Sequence, residues 1–319
     1  NVAETRHWLS TYVWPALNVV IPTVSHVRDL GTHLNLSRAA VGTTITDRLR
    51  RATATARKIQ FLPVSTKAKA TLLRTKCIAM GLYGCEAAHV NEACLKGMQS
   101  AFAAVLGPRS GRAAPALVFS MFSEGSDLDP GVHVLQRRLS QLRRMTIKHP
   151  RVEQLSQACY RMYQAASYHG IYTGEEDLAR LAPAPPPNAP GRHRWKPSFV
   201  PRGPMGLLLQ SLFISAAALD SDFNVRVAGE APLPVLTIPQ QWTKPMFREI
   251  ASRARDLEVG RRRSDLRGLT EIDHHLVQKS LDLHPPEDRL ILRNILTLGM
   301  HSAATLQPFG KVDTDICPL

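Results

Sequence analysis

Seven basic side chains carry the clearest chemistry in this sequence. Arg48, Arg51 and Lys58 share one face of a helix, with Thr55 completing the row, and Lys67, Lys69, Arg74 and Lys76 follow on a second helix. Cations repeated along a helical face hold an anion and break no bonds; their chemistry is phosphate-backbone binding. Residues that make or break bonds are hard to find. The sequence has no Gly-rich phosphate loop, no GxSxG elbow, no HExxH, no CxxC pair and no adjacent aspartates. Asp273-His274-His275, with His284 nearby, is the densest polar knot. Adjacent helical histidines diverge by about 100° and grip one metal poorly, so a polar helix surface is the better reading. Arg261-Arg262-Arg263 reads as a solvated or phosphate-contacting run. Cys77, Cys85 and Cys94 have no ligand spacing and read as small buried hydrophobes. Cys317, in Cys317-Pro318-Leu319, opens the way a CxxC zinc knuckle does, with its partner falling one residue beyond Leu319.

The charge distribution agrees with a polyanionic partner. The chain has 319 residues and a formal net charge of +14, and residues 1–80 alone hold 12 Lys+Arg against 3 Asp+Glu. A surplus so concentrated points to nucleic acid first and to an acidic membrane surface second. The content of 44% hydrophobic residues supports a packed core, and only 6% aromatics makes that core aliphatic. Five widely spaced cysteines form no disulfide framework and suit a reducing, intracellular compartment, nuclear or cytoplasmic. The longest apolar stretch, 205–219, is interrupted by Gln210, Ser211 and Ser215 and is too short and polar to span a bilayer. No basic-then-apolar leader follows Asn1, so no targeting signal is read there.

The expected fold is mainly α: a short strand pair, a helical bundle, a Pro-rich linker and a small mixed α/β or helical C-terminal domain. Residues 13–36 read as extended, with β-branched Val19-Val20-Ile21. Ile45, Leu49, Ala52, Ala56 and Ile59 then recur at helical spacing. Pro63 ends that helix, Ser65 caps the next, and Asn91 caps a third that Gly107-Pro108 stops. Asp129 and Pro130 start a helix bearing Val132, Leu135, Leu139 and Leu142, and another follows Pro150. Prolines crowd residues 182–204, which predicts an extended linker. Beyond it a helix is expected over 207–219, strands at 225–227 and 235–238, and helices from 244, over 271–281 and over 287–300. The divisions are 1–36, 37–110, 111–181, 182–204 and 205–319.

The run Val27-Arg28-Asp29-Leu30-Gly31-Thr32-His33-Leu34, then a basic helix, then Leu72 onward to Tyr83-Gly84-Cys85-Glu86, resembles the end of a reverse transcriptase of the non-LTR (LINE-type) retrotransposon class. In that family a Leu-Gly step leaves the palm, and the helical thumb that follows has a second helix ending in Tyr-Gly-x-Glu. Residues 290–299, Thr305, Phe309-Gly310 and the acidic approach to Cys317 resemble the lead-in to that family's zinc knuckle. The resemblance implies a C-terminal fragment of an RNA-directed DNA polymerase: palm edge over 1–36, thumb over 37–110 and an extension beyond. It implies that Leu30, Gly31 and Thr32 position the primer and that the basic stripe grips the template–primer backbone with little sequence specificity. Six engaged phosphates correspond to a log–log salt slope of about −5. The family's catalytic carboxylates, a Tyr/Phe-x-Asp-Asp hairpin that works with Mg, are missing from this sequence, so polymerisation is not expected. No cofactor is expected in the chain itself, and zinc only if the chain continues past Leu319. Two alternatives remain: a stand-alone helical nucleic-acid-binding protein, and a helical scaffold whose basic face meets acidic protein or lipid.

Overall fold

The computed structural model describes residues 2–15, 18–20, 26–29, 32–35, 42–108, 113–122, 127–165, 203–227, 230–262, 266 and 274–298. The fold is mainly helical, with short antiparallel strands near the start and a small sheet later. A helix not foreseen from sequence, α1 (Val2–Thr11), comes first. The 13–36 region then forms two separate pairs rather than one extended run. β1 (Val13–Trp14) pairs with β2 (Val19–Val20), and β3 (His26–Asp29) with β4 (Thr32–Asn35), where Asp29 faces Thr32. The aromatic rings of Trp8, Tyr12 and Trp14 meet in succession, Trp8 tilted against Tyr12 at 4.7 Å between centroids and Tyr12 edge-on to Trp14 at 5.3 Å.

Helix α2 (Thr43–Gln60) buries all five residues of its apolar seam, Ile45, Leu49, Ala52, Ala56 and Ile59. The next helical run is continuous in three parts: α3 (Thr66–Leu72), a π-helical stretch (Leu73–Ile78) and α4 (Ala79–Gly81). Ser65 Oγ accepts from the Ala68 N–H at 3.3 Å, as a cap should. The run ends in a close approach. A Cβ on Gly81 would lie 2.9 Å from Ala52 Cβ and 3.2 Å from Met98, so the glycine lets α4 approach both α2 and α5 (Glu92–Leu106) there. Asn91 Oδ1 accepts from the Cys94 N–H at 3.0 Å, and Gly107 terminates α5. With α6 (Pro115–Met121), these helices enclose a core that includes Met98, Phe102, Leu117 and Phe119.

Helix α7 (Pro130–Lys148) starts where Asp129 Oδ1 accepts from the Gly131 N–H at 2.9 Å and from Gln99 Nε2 at 2.8 Å. α7 contributes to both hydrophobic clusters: Val134 joins the first, and Val132, Leu135 and Leu139 join the second. The second cluster draws on both sides of residues 166–202. Tyr160 of α8 (Pro150–Ala165) donates its hydroxyl to Leu219 O at 2.7 Å, and α9 (Gly203–Ile214), a three-stranded sheet and α10 (Gln240–Arg262) complete it. The sheet runs β5 (Ala217–Leu219), β6 (Asn224–Val227), β7 (Leu233–Pro234), all antiparallel. The expected 207–219 helix is therefore shorter. Ser215 and Ala216 donate back to Leu212 and Phe213 in a tightened last turn, and Ala216 takes φ 51°, which turns the chain into β5. Val225 and Val227 lie on a strand as expected, but 235–238 is a turn. Helices α11 (His274–Asp282) and α12 (Pro286–Leu296) close the described chain. The expected linker up to residue 202 lies outside the described residues, as do Leu30, Gly31, Asp273 and Cys317. Thr32 opens β4, and His274 opens α11.

Candidate nucleic-acid interface

Residues 43–81 hold nine lysines and arginines and one acid, Asp47. The structure divides the seven residues of the expected stripe into two groups. The side chains of Arg51, Lys58, Lys67 and Lys76 are exposed, and their cationic groups make no hydrogen bond or ion pair with another described residue. Arg51 and Lys58, seven residues apart, stand in one row on the solvent side of α2. Arg57, exposed beside Lys58, adds a cation outside the expected set; its place in the Arg57-Lys58 pair was the available signal.

The other three have protein partners. Arg48 donates to Tyr83 O at 2.9 Å, and its guanidinium lies over the Tyr83 ring, 4.9 Å from the centroid. Lys69 donates to Gln60 O at 2.8 Å, tying α3 to the end of α2. Arg74 faces Asp127 at 3.5 Å, and Asp127 also pairs with Arg248 of α10. Around the buried line of Ala70, Leu73 and Cys77, Lys69 and Lys76 occupy one flank and Lys67 and Arg74 the other. The wider turn of the π segment does not bring them into a single row.

The Tyr83-Gly84-Cys85-Glu86 turn binds arginines from two helices. Gly84 takes φ 86°, a conformation that favours glycine, and turns the chain at the helix end, where Ala87 and Ala88 donate to Gly84 O. Arg48 takes Tyr83 O, and Arg137 donates to Leu82 O at 3.1 Å with Glu86 at 3.7 Å. Arg138, 6% exposed, reaches deepest. Its Nε donates to Cys85 O at 3.1 Å and Nη2 to Ala88 O at 3.4 Å, while Nη1 donates to Leu207 O at 2.9 Å and to Ser211 Oγ. Burial pushes its pKa down to about 10, against the opposing influence of Cys85 and Glu86. The guanidinium stays charged at neutral pH and joins the turn to α9. Five donors in a rigid fork suit this work, which an ammonium could not do. Sequence reasoning missed Arg138, because nothing local separates it from Arg137.

Burial raises the Cys77 thiol to about 11 and the Cys85 thiol to about 12, as expected of cysteines that serve as core. His133 is lowered to about 4, first by burial and then by Arg137, and its Nε2–H donates to Asp127 O at 2.7 Å. No group of three His, Cys, Asp or Glu among the described residues is placed to hold a metal. No helix among them is long and apolar enough to cross a membrane. Compared with family models, with curated proteins and with solved structures, the chain matches none.

Proposed function

We propose that the α2–α3 region binds the phosphate backbone of nucleic acid, acting as the thumb-like part of an RNA-directed DNA polymerase of the non-LTR retrotransposon class without that family's catalytic carboxylates. One observation carries the reading: the cationic groups of Arg51, Lys58, Lys67 and Lys76 are exposed without partners among the described residues, in a segment with a single acid. Surface cations usually find carboxylates nearby; here few are available, and an external polyanion supplies the missing charge. Backbone contact alone reads no bases, so duplexes of different sequence bind alike.

The count of cations lowers the expected salt dependence. Arg48, Lys69 and Arg74 are held by the protein, which leaves four of the seven and, with Arg57, five exposed cations and a log–log slope of about −4.5 for duplex DNA. The test titrates a fluorescent primer–template duplex across a salt series. Replacing Arg51 and Lys58 together by alanine reduces the slope by about 2 units, at roughly 0.9 per phosphate contact. A folded chain that ignores duplex at low salt, or binds it with no salt dependence, overturns the reading.

A further inference from the structure

A cleft of about 520 Å³ lies where the α2–α3 turn meets the end of α5 and the body of α12. Its volume is within the range of small-ligand sites, about 300–1,000 Å³. Two cations, Lys69 and Arg293, line it, with no carboxylate among the described lining residues. Lys69 is anchored by its bond to Gln60 O at 2.8 Å, and an ammonium carries three donors. The Arg293 guanidinium carbon lies over the Phe122 ring, 4.2 Å from the centroid, which limits the rotamer freedom to be lost on binding. Leu290 and Pro108 supply apolar wall and Asn294 an amide able to donate and accept. Gln60 and Thr66, also on the lining, bracket the turn that exposes Phe61 at 76%.

Two fixed cations and an apolar wall match a ligand with a phosphate at one end and a flat, weakly polar ring at the other. The cleft also borders the helices whose exposed cations are assigned to a nucleic-acid backbone. We propose that it receives one unpaired nucleotide of the bound strand, with the phosphate at Lys69 and Arg293 and the base on the Leu290–Pro108 wall. This rests on the nucleic-acid reading above. A strand end laid along α2 and α3 reaches the cleft past the turn that carries Phe61, whose exposed ring is not part of the lining.

The test compares the full chain on a blunt duplex with the same duplex carrying a short single-stranded 3′ overhang. The overhang improves affinity by about tenfold, the scale of one charge-assisted phosphate contact. Arg293→Gln removes that gain and leaves blunt-duplex affinity unchanged. Leu290→Glu does the same by placing a carboxylate at a site already 56% exposed, where folding is undisturbed. Adenosine monophosphate at millimolar concentration competes the gain away, whereas inorganic phosphate at equal concentration does not. Blunt duplex bound without an overhang gain sinks the cleft and leaves the exposed cations with their role; binding of neither probe sinks both. Variants that weaken both probes equally, or phosphate competing as well as the nucleotide, also overturn the proposal.

Discussion

Helices α2 and α7 each carry four arginines and one lysine, in 18 and 19 residues, yet use three of each in opposite ways. On α2, Arg51, Arg57 and Lys58 project into solvent. On α7, Arg137, Arg138 and Arg143 turn inward and donate to main-chain carbonyls. Arg143 takes Val235 O at 2.7 Å and Ile238 O at 2.6 Å, and Leu236 O as well. That explains the turn at 235–238: three carbonyls converge on one guanidinium, which a strand with alternating carbonyls could not arrange. The difference lies in position. α2 packs one face into the first core and leaves the other free, whereas α7 lies between the two clusters and meets protein on both sides. A basic stripe is therefore a binding surface only where no neighbour supplies acceptors.

The contrast can be broken most sharply at Arg138. Arg138→Met leaves Cys85 O and Ala88 O buried without that donor, and stability drops by about 4 kcal/mol in urea titrations, on the scale of two orphaned acceptors and imperfect refilling. Arg138→Lys recovers less than half of the loss, because one ammonium cannot reach both sides of the junction, while Arg51→Lys leaves stability unchanged. Equal tolerance of lysine at both positions would erase the distinction.

His133, on α7 beside Arg137, sharpens it through pH. Its folded pKa of about 4 lies below the 6.5 of an unfolded histidine, so the unfolded chain binds the extra proton between those values. The contribution is fully present above pH 6.5 and is lost as pH falls toward 4, about 3 kcal/mol in all. His133→Gln keeps a donor for Asp127 O and flattens that part of the pH–stability curve relative to the parent chain.

On the α2 side the stability effects are small. Arg51→Ala with Lys58→Ala shifts unfolding by no more than about 0.5 kcal/mol, the usual range for surface changes, while altering the salt slope of duplex binding. Thiol labelling is the gentlest probe. Cys159 is exposed and reacts in the native state; Cys77 and Cys85 react only on unfolding, because burial holds both as thiols. Native-state labelling at Cys85 would place the Arg138 junction in solvent.

Much of the helical frame was legible in the residues. The five-residue seam of α2, the caps at Ser65, Asn91 and Asp129, and the stop at Gly107 all depend on interactions within a turn or two, and each is where the sequence places it. The site was less legible. The stripe's residue types were visible, but Arg48, Lys69 and Arg74 differ from Arg51 and Lys58 only in what lies across from them: Tyr83, Gln60 and Asp127. The turn at 235–238 read as a strand because its valine, leucine and isoleucine suit one, and its organising guanidinium comes from 92 to 95 residues earlier.

The sequence by itself determined where helices begin and end, which positions face a core, and that basic charge concentrates near the start of the chain, since periodicity, capping and composition are local properties. Only the tertiary structure decided which arginines are free to meet a ligand. A guanidinium's role depends on whether carbonyls are brought within about 3 Å of it, and those carbonyls belong to turns and helices distant in the chain that arrive only when the two cores pack against α7.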